Sequence, residues 1–236
     1  MSEDIRQYLQ ECAASYGIAV SDGQAEQFQW YMELLIEWNQ KMNLTAITEP
    51  KAVVVKHFLD SILLLPELEQ GDTLIDVGTG AGFPGVPLKI LRPGLHLTLL
   101  DSLNKRLIFL REVLDRLGLD AQIVHARAEE GGRQAGLRTK FAFATARAVA
   151  PLNLLCEYCL PFLQMGGVFL AMKGPEPDAE VEAAKRAVSR SMSAPVRASC
   201  ASPCASTSAK RRGMVTSSPR GMRTVSPLTV TTLSSL

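Results

Sequence analysis

From Gln24 to Met42 the apolar residues Phe28, Tyr31, Met32, Leu35, Trp38 and Met42 recur three and four positions apart, while Glu26, Glu33 and Glu37 fall between them. That spacing gives a helix one apolar face and leaves its acids to water. Ser21 or Asp22 stands where a side chain can cap its start. A second helix is predicted from about Pro50 to Leu64, with Val54, Phe58, Ile62 and Leu65 turned inward. Beyond residue 65 the pattern changes to short apolar runs: Leu74 to Val77, His96 to Leu100, Ala121 to His125, Phe141 to Ala146 and Val168 to Met172. Helical stretches lie between them, one running from Asn104 to a stop at Gly118. Strands alternating with helices predict an α/β fold, a mostly parallel sheet with helices on both faces.

The run Leu74-Ile75-Asp76-Val77-Gly78-Thr79-Gly80-Ala81-Gly82-Phe83-Pro84 is the turn around which the rest is arranged. Glycines at alternate positions allow positive φ and let a backbone approach a ligand closely, and Pro84 fits a first helical turn. A strand, a glycine hinge and a helix start form a nucleotide-type site at a strand's carboxyl end. The spacing is G-x-G-x-G, with Asp76 two residues before the first glycine, and departs from the dinucleotide pattern G-x-G-x-x-G. A buried carboxylate needs a cation or a donor. S-adenosylmethionine brings an ammonium and a sulfonium, whereas NAD brings two phosphates, so Asp76 favours the methyl donor. Asp101 ends the next strand, where an acid bonds a ribose hydroxyl pair of either ligand or caps the helix starting near Leu103.

Composition narrows the class. The chain has 236 residues, 47% hydrophobic and 21% charged, with no apolar run near the length of a membrane span. Its amino terminus, Ser2-Glu3-Asp4, is acidic where a secretory signal is basic, so a cytoplasmic, non-membrane protein is expected. Five cysteines are spaced unevenly, and Cys156 and Cys159 sit in an apolar helical stretch, so core thiols are expected and no metal. Net charge is +1, but residues 1–42 carry seven acids against Arg6 and Lys41, and residues 187–236 carry seven Lys or Arg and no acid. The overall charge gives no argument for a nucleic acid.

Three further loops leave the carboxyl ends of the later strands: Ala126 to Glu129, Arg147 to Pro151, and Lys173-Gly174. Singly, each Arg or Lys reads as solvated surface; together they crowd the end of the sheet where ligands bind. His57 reads either as a helix histidine bonded to a neighbouring carbonyl or, with the turn Lys41 to Thr45, as part of a cover over the cleft.

These residues resemble one family. Asn43-Leu44-Thr45, His57-Phe58 with Asp60-Ser61, Asp76 to Gly85, Asp101-Ser102 with Lys105-Arg106 and Phe109-Leu110, Arg127-Ala128-Glu129, Arg147-Ala148 and Lys173-Gly174 look like the ordered motifs of RsmG (GidB), over about residues 5–186. The resemblance implies a Rossmann-like class I S-adenosylmethionine-dependent methyltransferase with an N-terminal helical extension. It implies methylation of guanine N7 in 16S ribosomal RNA (guanine 527 of the 530 loop), on the RNA or the small ribosomal subunit; a monomer is expected. By position Gly78, Phe83, Ala128, Glu129 and Arg147 match cofactor contacts and Asp76 and Asp101 the usual acids, with Gly80 of the glycine turn a further candidate cofactor-binding residue. Asn43 and His57 belong to the cap beside the substrate. Arg127, Arg147 and Lys173 take positioning roles on phosphate or the guanine edge, because an N7 lone pair carries no proton and asks for no general base. Two alternatives stay open: an NAD-dependent oxidoreductase, and a binding-only protein that keeps the cofactor turn.

The expected division is a cap over 1–65, a methyltransferase domain over 66–186 and a tail over 187–236. Twelve serines and no acid in that tail predict a disordered or out-of-frame segment that lacks the family's last helix and hairpin. The sheet edge would then be bare.

Overall fold

The computed structural model describes residues 4–69, 71–147 and 150–172, with the backbone of 197–199. Two helices open it, α1 (Ile5–Ser15) and α2 (Asp22–Asn39). Ser21 caps α2 and forms a reciprocal capping box with Gln24. The periodicity of the sequence is met: Phe28, Tyr31, Met32 and Leu35 are buried. The second predicted helix is broken into three pieces. A turn of α-helix, α3 (Pro50–Val53), runs into a wider π-helical segment, Val54–Leu59, and returns to helix in α4 (Asp60–Ile62). Such wide turns loosen the regular hydrogen-bond ladder and gather at functional sites.

Among the described residues six strands follow: β1 (Thr73–Val77), β2 (His96–Asp101), β3 (Gln122–His125), β4 (Phe141–Arg147), β5 (Leu163–Met172) and β6 (Arg197–Ser199). Between β1 and β5 lie the α-helices α5 (Gly85–Leu91), α6 (Asn104–Leu117), α7 (Ala128–Gly131) and α8 (Leu152–Cys159). The sheet order is β3-β2-β1-β4-β5-β6 and every pairing is parallel. β1 thus stands at the reversal of strand order, where such sheets bind ligands. The tail is not wholly separate from this sheet, because Arg197, Ala198 and Ser199 pair with Val168, Phe169 and Leu170. The edge expected to be bare carries a short strand, whose main-chain bonds need no particular side chain.

Alternation along the strands splits the core into two layers. Leu74, Leu97, Leu99 and Leu170 face α5, α6 and the amino-terminal helices in one continuous apolar core. Ile75, Val77, Leu100, Ala144 and Phe169 face the other way, against α8 and the turn Leu160–Phe162 that follows it. Cys156 and Cys159 are free thiols buried in this second layer. Two glutamines fasten α2 to the sheet's helices: Gln24 Nε2 donates to Ile90 O (3.0 Å) and Gln27 Nε2 to Leu117 O (2.8 Å). Each satisfies a carbonyl at a helix end that has no partner within its own helix. Among the described residues no helix is long and apolar enough to cross a membrane.

Candidate functional site

The loop after β1 is held in shape from below. Gly78, Gly80 and Gly82 all have positive φ, at 70°, 61° and 97°. A Cβ at Gly82 would lie 2.6 Å from the Tyr31 hydroxyl and 2.8 Å from Val86, so this position admits only glycine. Tyr31 reaches up from α2 and donates from that hydroxyl to Ala81 O. The Phe83–Pro84 bond is cis, and Pro84 precedes the first residue of α5.

Asp76 is the strut beneath the loop. Strand alternation turns its side chain to the α5 face, where Oδ2 accepts from Thr79 Oγ1 (2.7 Å) and from the Gly85 amide (3.0 Å). Its other oxygen, Oδ1, is buried without a hydrogen-bond partner. Burial pushes its pKa up to about 6, against the pull of the Thr79 and Gly85 donors. The carboxylate that favours a cationic donor therefore sits behind the loop, fully buried, and is not among the residues lining the cavity.

That cavity holds about 440 Å³ and is lined by Leu44, Thr45 and His57 from the cap, residues 78–81 and Phe83 from the glycine loop, Asp101, Ser102 and Arg106 after β2, and Arg147 at the end of β4. Its size suits a small-molecule ligand. Of the residues singled out in the sequence it brings together His57, Gly78, Gly80, Phe83, Asp101 and Arg147. Asn43, Arg127 and Glu129 are exposed and Ala128 is half-buried, and none of these four lines it. Lys173 and Ala148 lie outside the described residues.

Asp101 is occupied from three directions. Oδ1 accepts from the Leu103 amide (2.8 Å), and Oδ2 accepts from the Gly80 amide (3.0 Å) and from Arg106 Nη1 (3.3 Å). Leu103, not Asp101, holds the cap position of α6. The acid thus ties the glycine loop to the start of α6. A carboxylate has about four acceptor positions, so one remains, on Oδ1, for a hydroxyl in the cavity.

On the other side of the loop stands a cluster built by the π-helical segment. The guanidinium of Arg147 lies over the Phe83 ring, 4.8 Å from its centre. The His57 ring stacks on the same phenyl at 4.6 Å, and Tyr31 stacks on it at 5.2 Å. Arg147 Nη1 donates to Lys56 O (3.2 Å) and pairs with Asp60 Oδ2 (3.5 Å), while Nη2 lies 3.2 Å from His57 Nδ1. His57 Nε2 lies 2.8 Å from Thr45 Oγ1. Burial, then the Arg147 charge, lowers the His57 pKa to about 4. Burial raises Asp60 and lowers Arg147, with each charge partly offsetting the other's shift. A cation stacked on an aromatic ring and paired with a half-buried acid is a fixed one.

Thr79 and Arg106 were not singled out for these roles in the sequence. The Thr79 hydroxyl gives Asp76 one of its two partners. For Arg106 the only signal was its place in the Lys105-Arg106 pair after Asp101.

The family model described as GidB, rRNA small subunit methyltransferase G, matches residues 24–205. It therefore runs past the point where the composition of the tail changes. The chain is 51% identical over 184 residues to "Ribosomal RNA small subunit methyltransferase G" of Alkaliphilus metalliredigens, covering 77% of each chain. It is 50% identical over 188 residues to the protein of that name in Alkaliphilus oremlandii, covering 78% of this chain and 79% of the relative. It is 51% identical over 186 residues to that of Acetivibrio thermocellus, covering 78% and 76%.

Proposed function

The chain belongs to the rRNA small subunit methyltransferase G (GidB) family, and on that premise we propose that it moves a methyl group from S-adenosylmethionine to N7 of a guanine in small-subunit ribosomal RNA. The observation that carries the reading is the cavity itself: a glycine loop at the strand reversal, Asp101 on one side and the Arg147 cluster on the other, under a cap that supplies Leu44, Thr45 and His57.

The residues present fit the donor. Asp76, fully buried behind the loop with Oδ1 lacking a hydrogen-bond partner, does not touch the cavity, but a carboxylate so near it attracts a cation through its field. Gly78 and Gly80 let the backbone come close, and Asp101 retains an acceptor position for a ribose hydroxyl. S-adenosylmethionine supplies the reactive methyl on a positively charged sulfur. The protein's share is alignment and electrostatics. Arg147, held by Phe83, His57, Asp60 and Lys56 O, offers a guanidinium to the guanine edge, the commonest bidentate partner of that base. No proton has to leave N7, and among the described residues no side chain lining the cavity is set up as a base. His57 is neutral, but it is packed on Phe83 and engaged by Arg147 and Thr45.

Calorimetric titration with S-adenosylmethionine and, separately, with NAD tests the donor. Saturable heat with the sulfonium compound alone is expected; heat with NAD and none with S-adenosylmethionine would overturn the reading.

A further inference from the structure

Three side chains run from the end of β4 to the rim of the cavity, and chemistry fixes the direction of their hydrogen bonds. Arg147 Nη2 lies 3.2 Å from His57 Nδ1. A guanidinium has only donors, so Nδ1 is the acceptor and carries no proton. Lys56 O also lies near, 3.1 Å from Nδ1. That carbonyl already receives Arg147 Nη1 at 3.2 Å, and a proton on Nδ1 would face a cationic N–H. A neutral ring with a bare Nδ1 holds its proton on Nε2, where Thr45 Oγ1 lies 2.8 Å away. Thr45 Oγ1 thus accepts from His57, and it accepts again from the Ile47 amide at 3.0 Å. Both lone pairs of the hydroxyl are then used. The hydroxyl proton remains, and Thr45 lines the cavity.

We propose that Thr45 is a ligand-binding donor, its O–H aimed into the cleft by His57 and Arg147 and reserved for an oxygen that carries no proton. Resting on the methyltransferase reading, the proposal has two candidate acceptors of the same chemistry: the carboxylate at the amino-acid end of the methyl donor, and the carbonyl beside the guanine N7. A ligand group that itself donates finds the Thr45 oxygen full. The two sides of the cleft are therefore sorted by role. On the β2 side Asp101 accepts; on the β4 side Thr45 donates. Arg147 and His57 act as positioning residues for that donor, and in this role His57 transfers no proton.

Thr45→Val keeps the shape and deletes the O–H, while Thr45→Ser keeps it. Both variants and the wild type are titrated with S-adenosylmethionine and assayed for methyl transfer to small-subunit RNA that lacks the modification. If the carboxylate is the acceptor, Thr45→Val weakens S-adenosylmethionine binding about 10-fold, the loss of about one hydrogen bond. If the base carbonyl is the acceptor, binding is unchanged and kcat/KM for RNA falls by about that factor. Thr45→Ser stays within about threefold of the wild type on both. Should the valine variant fail to fold, Thr45→Ala takes its place. Nitrogen-15 spectra of the histidine rings give a readout independent of activity, with His57→Gln identifying the His57 signals among three histidines. The proton is expected on Nε2. A proton on Nδ1, or an O–H-deleted variant that binds and turns over like the wild type, overturns the proposal. A wild type that does not bind S-adenosylmethionine overturns the methyltransferase reading instead, and the ring spectra still decide the direction of the bonds.

Discussion

His57 Nδ1 and Arg147 Nη2 meet 3.2 Å apart across the joint between the helical cap and the sheet. Both rest on the face of Phe83, from the glycine loop. Cap, loop and β4 therefore share one contact.

Arg147 is the residue on which that contact turns. Arg147→Ala is expected to reduce methyl transfer about 100-fold or more, through lost alignment. Stability should fall by about 1–3 kcal/mol, as Asp60 loses its cation. Transfer assays beside thermal unfolding separate the two effects. Wild-type turnover would remove Arg147 from the site.

The pH dependence of stability should carry two opposed signatures. His57 has a folded pKa of about 4 against an ordinary 6.5. Its contribution is whole above 6.5 and is lost as pH falls through 4, in all about 3 kcal/mol. Asp76 is raised from 3.8 to about 6, so its contribution is whole below 3.8 and is lost as pH rises through 6. Asp60, also raised by burial, acts in the direction of Asp76. Denaturant titrations from pH 4 to 7 check this. The stability of the wild type relative to His57→Gln should shrink toward pH 4, and relative to Asp76→Asn it should grow. Parallel curves would contradict the burial of either group.

Two glycines should respond in opposite ways. Gly82→Ala forces a Cβ to 2.6 Å from the Tyr31 hydroxyl at a φ of 97°, and is expected to destabilise by about 2 kcal/mol or more. Gly23→Ala, in the first turn of α2 with nothing within 4 Å, should stabilise by about 0.5–1 kcal/mol. Urea unfolding of the two variants measures both.

Cys156 and Cys159 should resist alkylation in the folded protein. Burial pushes the Cys156 thiol up to about 11, and Cys159 well above the usual range. The reactive thiolate is therefore scarce and covered. Iodoacetamide at pH 8 followed by mass spectrometry should label them only after unfolding; rapid native labelling would contradict their place in the core.

The glycine turn and the face of α2 were legible because each rests on local rules, φ freedom in one and helical spacing in the other. The break at Val54–Leu59 was not. Over six residues the apolar spacing of an α-helix and of a wider turn differ by less than one position, so Val54, Phe58 and Ile62 fit both. Asp76 was legible as a buried acid in need of a cation or a donor, and period-two alternation sets it on the same face as Leu74. That face packs α5, so its partners are Thr79 and Gly85 and not the ligand. The Asp101–Arg106 pair crosses from a strand end to a helix, a junction for which the sequence has no periodicity.

The most direct test of the account follows the methyl group. Protein, methyl-labelled S-adenosylmethionine and unmodified small-subunit ribosomal RNA are incubated, the RNA is digested, and the labelled nucleoside is identified by mass spectrometry. The account predicts 7-methylguanosine at a single position, lost with Arg147→Ala. Label on a ribose, an exocyclic amine or a pyrimidine carbon, or no label from wild-type protein that binds the donor, would contradict it.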